Sequence, residues 1–234
     1  MPDFGERALA EYADRLEPTG SDGWDLAECR VISLTFELRK EQALPFLPRT
    51  LIRPVPAYAK VIVIDAPDSP AGPYREAALF IGARENVQIR NVLLDSIVEG
   101  EALLRAARAA FGGSRRAGTV EIRDTGTAIE VAIADATGAL CEIRLGDLRR
   151  CDATMLKYDA LLVPGNVGGE PALLRWGVRV PLTEVEGTLS RDWEVRMPRR
   201  GTTWQALRPA YNVTAFQAIG PARIEAAHAP EQTA

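Results

Sequence analysis

Histidine is almost absent from this chain: in 234 residues there is one, His228, and it stands in an Ala/Pro/Glu-rich tail. That leaves no ready means for a Ser-His-Asp triad, a Cys-His pair or the usual histidine metal sites, so no metal is expected. Acid–base chemistry must then fall to carboxylates, tyrosines, cysteines or lysines. Lysine is scarce as well, occurring only at Lys40, Lys60 and Lys157. We read the heavy excess of arginine, with the abundant alanine, as a GC-rich coding bias in which most arginines carry no functional message. Cys29, Cys141 and Cys151 are odd in number and lack CxxC spacing, which gives neither a disulfide framework nor a zinc site. The N-terminus opens with Asp3 and Glu6 and has no apolar run of signal-peptide type, so a reduced, cytoplasmic compartment is expected. No basic face is present and the net charge is -4. Neither nucleic acid nor membrane is therefore an expected partner.

What is present is an ordinary core-forming composition, 47% hydrophobic and 26% charged. A chain of 234 residues can bury a substantial core, and we expect one domain over 1–234, with an N-terminal helix and turn over 1–25 and a flexible tail over 225–234. Phe4, Ala8, Tyr12 and Leu16 recur at helical spacing and end at Pro18. Strands are predicted from Cys29 to Leu38, Tyr58 to Ile64, Tyr74 to Ala83 and Val87 to Leu94, with a brief helical turn from Lys40 to Leu47 and a loop from Asp65 to Pro73. Further strands are predicted over Thr119 to Arg123, Ala128 to Ala134, Ala139 to Leu145, Leu173 to Leu182, Gly187 to Val195 and Ala210 to Ile219. Met155 to Val163 is another apolar run. Gly165-Asn166-Val167-Gly168-Gly169 lacks the Lys-Ser/Thr of a phosphate loop and reads as a hairpin turn. Short strands, many turns and few helices predict an α+β fold with an antiparallel, barrel-like core and a few flanking helices.

One stretch organises the rest. Val98 to Phe111 reads as an amphipathic helix, with Val98, Ala102, Ala106 and Ala110 on a stripe beside Leu103, Ala107 and Phe111. Gly112 and Gly113 end it, and Ser114-Arg115-Arg116 follows at once. Upstream lies Gly72-Pro73-Tyr74-Arg75-Glu76, in which Tyr74, Glu76, Ala78 and Phe80 share one strand face.

These two stretches resemble the acetoacetate decarboxylase family, and weaker pieces (Leu34 to Pro48, Met155-Leu156-Lys157 leading to Pro164, Val178 to Gly187) extend the likeness over Arg30 to Arg223. In that family the glycine-ended helix is followed by Pro-Lys-Lys. The first lysine forms a Schiff base with the substrate ketone and the second lowers its pKa. Here Arg115 and Arg116 stand at those places. A guanidinium stays protonated and cannot attack a ketone, so iminium chemistry at this site is excluded. Two clustered guanidiniums can instead hold a carboxylate or stabilise an enolate.

The resemblance nominates Glu76 and Arg115 as catalytic, and Arg116, Arg30, Tyr74, Phe80 and Lys157 as substrate-binding. On the residues alone, Glu76 reads first as a surface glutamate on an edge strand, and the two arginines equally well as solvated loop charges. Arg30 matches a family arginine only off by one position, which in a strand reverses the face unless a bulge repairs it; Cys29 could reach the pocket if Arg30 does not, though a buried inert thiol is its commoner reading. Lys60 and Lys157 remain as possible amines, each reading first as structural. The resemblance further implies a homo-oligomer and a small-molecule enzyme of bacterial secondary metabolism. Its expected reaction is cofactor-independent cyclisation, dehydration or isomerisation of an oxo-acid or polyketide-like substrate. A non-catalytic small-molecule binder, or a decarboxylase using another lysine, are the alternatives.

Overall fold

The first four strands carry apolar residues on both faces, and their place in the sheet explains it. In the computed structural model, which describes residues 23–47, 51–152, 160–167, 170–180 and 185–228, these strands are β1 (Trp24–Glu37), β2 (Tyr58–Ser69), β3 (Gly72–Glu85) and β4 (Gln88–Glu99). A short helix α1 (Lys40–Ala43) and a 3-10 turn (Leu44–Phe46) separate β1 from β2. Helix α2 (Glu101–Phe111), β5 (Arg115–Asp124), β6 (Ala128–Asp135) and β7 (Gly138–Cys151) follow. Then come β8 (Ala160–Val167), β9 (Glu170–Arg179), β10 (Glu186–Arg196), helix α3 (Thr203–Ala206) and β11 (Tyr211–His228).

The strands form one sheet in the order β1-β2-β3-β4-β5-β6-β7-β10-β11-β9-β8, and two further pairings, β1 with β11 and β4 with β8, close it on itself twice. The larger ring runs β1-β2-β3-β4-β5-β6-β7-β10-β11 and the smaller β1-β2-β3-β4-β8-β9-β11. This is the expected α+β fold with an antiparallel, barrel-like core. Two pairings are parallel, β4 with β5 and β4 with β8. A parallel neighbour needs a crossover, and α2 supplies it between β4 and β5.

Because β1 to β4 wall both rings, both of their faces are buried and their sequences are nearly continuous apolar runs. Ile32, Leu34, Val61, Val63, Ala77 and Leu79 enter the larger ring, whose core also holds Val131, Ile143, Trp193 and Trp204. Val31, Ile62, Ile64, Ala78 and Phe80 enter the smaller, against Phe111, Val163, Trp176 and Ile224. Strand β6 belongs to one ring only. Its Ile129, Val131 and Ile133 are buried while Glu130 and Ala132 are exposed.

Several element boundaries differ from expectation. Helix α2 begins at Glu101, since Val98 is still in β4, paired with Glu76 and Ala117. Its buried side chains are Leu104, Ala107, Ala110 and Phe111, so the apolar stripe is rotated and Ala102 faces outward. The loop expected from Asp65 to Pro73 is only the tip of a hairpin, because β2 runs to Ser69 and β3 starts at Gly72. Gly165 to Val167, expected in a turn, belong instead to β8 and pair with β9 as far as Val167↔Glu170. Helix α3 was not foreseen. β11 continues to His228, so the expected tail is strand over its first residues. It exchanges partners midway: 216–219 pair with β10 and 223–228 with β9. Pro221, without an N–H for the ladder, stands between the two. The N-terminal helix expected at Phe4 to Leu16 lies outside the described residues, as does Lys157.

Candidate functional site

Glu76 is fully buried, with 0% exposure, inside the smaller ring. The Tyr74 hydroxyl donates to its Oε2 at 2.5 Å and the Ser96 hydroxyl to its Oε1 at 2.5 Å. Arg115 Nε stands 2.8 Å from Oε1, at ion-pair distance without a well-directed hydrogen bond. A carboxylate taken out of water needs this kind of partnership, because an uncompensated buried charge costs several kcal/mol, about 3–5 when one partner is removed. Burial, and then the negative charge of Glu76, push the Tyr74 phenol well above its ordinary pKa, with Arg115 opposing in part. Tyr74 therefore stays a proton donor to Glu76 across the whole neutral range.

Three backbone features build this cluster. The two-residue period of β3 puts Tyr74, Glu76, Ala78 and Phe80 on the face of the smaller ring. In β4 a bulge sets the direction: Leu79 pairs with Asp95 and Phe80 with Leu93, so Leu94 is the extra residue. Alternation slips by one there. Leu93 and Ser96 face the smaller ring, whereas Leu94 and Asp95 face the larger. Third, α2 ends on Gly112 and Gly113 with positive φ of 62° and 80°. A Cβ on Gly113 would lie 2.7 Å from Leu93 Cδ2 and 3.0 Å from Arg115 Nη1, so the chain can turn close against the arginine only with glycine there. Arg108 secures the turn by donating from Nε and Nη2 to the Arg115 carbonyl.

Arg115 is 2% exposed. Its Nη1 donates to the carbonyls of Phe111 and Gly112, and its Cζ sits 4.8 Å from the ring centroid of Trp176 and 5.6 Å from that of Phe111. Aromatic rings close the chamber. Phe80 stacks on Trp176 at 6.0 Å, and Trp24 meets Tyr74 at 5.1 Å and Phe111 at 4.6 Å edge-on.

The expectation that Arg115 and Arg116 converge is corrected. Both are in β5, and adjacent strand residues point to opposite faces. Arg116 enters the larger ring, where Nε and Nη2 donate to Asp95 at 2.9 and 2.8 Å and Nη1 to Asp135. Arg30 is likewise turned away from Glu76, its side chain 3.8 Å from Asp124. Of the two, Cys29 and not Arg30 is in the core of the smaller ring. Phe80 is brought to the chamber. Lys60 is buried at 7% exposure, on the β2 parity of Ile62 and Ile64, directly across from Phe80. Ser96 and Trp176 escaped the sequence reading. Ser96 had a usable signal, since Asp95-Ser96 interrupts an otherwise apolar run. Trp176 had none.

A cleft of about 510 Å³ lies at the Tyr74 end of the cluster, lined by Cys29, Arg30, Asp65, Tyr74, Arg75 and Glu99 among others but not by Glu76 or Arg115. A second cleft, of about 660 Å³, lies along β5, β6, β7 and β10 among charged side chains and is lined by neither Glu76 nor Arg115. Among the described residues no group of three or more His, Cys, Asp or Glu is placed to hold a metal ion, and no helix is long and apolar enough to cross a membrane.

No protein-family model matches the chain, and no curated protein does. Solved structures do. Acetoacetate decarboxylase from Legionella pneumophila superposes with a TM-score of 0.73 at 14% identity, covering 91% of this chain and 89% of that one. An acetoacetate decarboxylase-like enzyme from Sphingomonas wittichii gives 0.68 at 13% identity, over 92% and 97%. The enduracididine biosynthesis enzyme MppR, complexed with pyruvate, gives 0.67 at 13% identity, over 93% and 96%. At such identities the likeness is one of fold: the chain has the acetoacetate decarboxylase-like fold over nearly its whole length.

Proposed function

We propose that this chain is a small-molecule enzyme that moves protons on an oxo-acid or polyketide-like substrate, without a cofactor and without a Schiff base at position 115. One observation carries the reading: Glu76, among the described residues the one carboxylate in the apolar core of the smaller ring, is paired with a guanidinium and two hydroxyls rather than with an amine. Glu76 takes a proton from the carbon next to a substrate carbonyl, and the electron pair moves onto the carbonyl oxygen as an enolate. Arg115, permanently charged, stabilises that oxygen. Return of the proton at another carbon is an isomerisation; return to a departing β-hydroxyl, which leaves as water, is a dehydration; attack of the enolate carbon on a second carbonyl of the same chain, whose oxygen takes up the electron pair and then the proton from Glu76, is a cyclisation. The aromatic walls favour one folded conformer of the substrate. Support comes from the fold shared with decarboxylases and with MppR, a biosynthetic enzyme seen with pyruvate and with a condensation product of pyruvate and imidazole 4-carboxaldehyde.

The test is Glu76→Gln assayed on a panel of oxo acids and linear polyketide mimics that the wild type turns over. Losing the general base should cut turnover by about two to four orders of magnitude with the fold retained. Full activity in Glu76→Gln would remove Glu76 from the chemistry. Saturable binding by the wild type with no turnover of any compound would identify a binding protein instead.

A further inference from the structure

The second cleft, of about 660 Å³, hollows the outer side of β5, β6, β7 and β10. On their inner side Val131 and Ile143 belong to the core of the larger ring, with Ile122 and Val195 packed against it. The outward residues between them are all exposed and fall in two cross-strand rows. One row reads Arg123, Glu130, Arg144, Glu194 across the four strands, and the next reads Glu121, Ala132, Glu142, Arg196. Opposite charges on neighbouring strands stabilise a sheet where they touch. Here they do not touch across the rows. Arg144 is held by Asp192 at 3.2 Å and Arg196 by Glu194 of its own strand at 2.9 Å, while Glu121, Arg123, Glu130 and Glu142 make no ion pair among the described residues. The alternation therefore asks for a partner outside the sheet.

We infer that this face docks a second copy of the chain, laid on it about a two-fold axis that runs parallel to the strands between β6 and β7. Such an axis turns the face over and reverses the strand order, so β5 meets the partner's β10 and β6 the partner's β7. Every position then meets its complement. Arg123 faces the partner's Glu194, Glu130 the partner's Arg144 and Glu121 the partner's Arg196. Ala132, the one small residue of the eight, leaves room for the partner's Glu142. Each contact recurs by symmetry, as an isologous interface requires. Twisted sheets stack face to face with their strands nearly aligned. Four strands about 4.8 Å apart and about ten residues long present roughly 600 Å² in plan, which side-chain relief brings near the ~800 Å² that each partner of a standard interface buries. A contact made of exposed charges is weak and reversible. The family resemblance implies a homo-oligomer and assigns it no surface; the charge pattern supplies one, independently of the chemistry in the smaller ring.

Sedimentation velocity reads the association. The wild type should be a mixture of monomer and dimer in about 20 mM salt and monomeric in about 500 mM, because exposed pairs are screened. Arg144→Glu sets two negative charges against each other at both symmetry-related contacts, and Glu130→Arg two positive ones. Each variant alone should dimerise about tenfold more weakly or worse. Mixed in equal amounts the two variants should associate again, since each reversed charge then meets the other. A defect within one chain cannot be repaired by mixing. Should either variant fail to fold, Arg123→Glu and Glu194→Arg are the equivalent facing pair. A wild type that stays monomeric at sub-millimolar concentration in low salt overturns the inference, as does a dimer that survives both reversals or a mixture that stays monomeric. A dimer lost in Arg144→Glu and kept in Glu130→Arg overturns the axis, because a two-fold across the strands would set Glu130 against the partner's Ala132.

Discussion

Arg115 and Arg116 are consecutive in sequence and serve two different rings. In the larger ring all three nitrogens of Arg116 are engaged with Asp95 and Asp135. Asp135 also receives Arg199 at 2.6 Å, and Asp95 the Trp204 indole at 2.8 Å. The result is a balanced pin that fastens β4, β5 and β6 to the segment bearing α3, with the Arg116 side chain 37% exposed at its edge. In the smaller ring Arg115 is dry and faces a single carboxylate, with Tyr74 beside it. A guanidinium shared between two carboxylates at an edge that water reaches holds structure together, whereas a dry one facing a single carboxylate sets the charge of that carboxylate. The alternation of one strand makes that division.

The largest expected effect tests this contrast. Arg115→Met leaves the Glu76 carboxylate buried without its counter-charge and should cost about 3–5 kcal/mol in urea unfolding. Arg116→Met should cost less, about 1–3 kcal/mol, because Asp95 keeps Trp204, Asp135 keeps Arg199 and water reaches the edge. Adding Glu76→Leu to Arg115→Met should restore most of the loss, since a dry ring accepts an apolar pair in place of an ionic one. A larger loss for Arg116→Met than for Arg115→Met would reverse the comparison.

How much of this was legible beforehand follows the range of the interactions. The alternation in β3 that gathers Tyr74, Glu76 and Phe80 is local, and the two-residue period alone gives it. So is the glycine stop before Arg115, where a helix ends because two residues without Cβ allow the turn. The double closure of the sheet is not local. Val61 to Ile64 reads as a strand in any topology, and nothing in it says that both faces lie inside rings. Arg115 and Arg116 read as a pair because the resemblance puts them where the family has two adjacent lysines that act together. The structure makes the segment strand from Arg115 onward, and the faces separate. The bulge at Leu94 is equally invisible in the sequence, yet it decides that Ser96 and not Asp95 meets Glu76.

A smaller effect concerns acid. Burial alone would raise the Asp135 carboxyl, but hydrogen bonds from Thr137 and Arg116 outweigh it and hold the group well below its ordinary 3.8. A carboxyl held low in the fold contributes stability that is complete above the unfolded value and is lost as pH falls through the depressed one. The wild type should therefore lose stability progressively below about pH 4, and Asp135→Asn should show a shallower decline over the same range. Urea midpoints between pH 6 and pH 2.5 measure it. Parallel declines in the two proteins would mean that the pin does not depend on the Asp135 charge.

The smallest effect concerns Cys29, the core thiol of the smaller ring that also lines the 510 Å³ cleft. Burial, with the nearby negative charge of Asp65, pushes this thiol up to about 12 from 9.0. Since the thiolate is the reactive form, iodoacetamide at pH 8.5 should modify Cys29 about a thousandfold more slowly in the native protein than in urea. The sign for stability is opposite to that of Asp135. A thiol held protonated contributes stability that is complete below 9.0 and is lost as pH rises from there through about 12. Cys29→Ser should accordingly flatten the alkaline decline between those values. Rapid native labelling of Cys29, located by peptide mass mapping, would show that water reaches the wall beside Glu76. The smaller ring would then not be the dry chamber that sets Arg115 apart from Arg116.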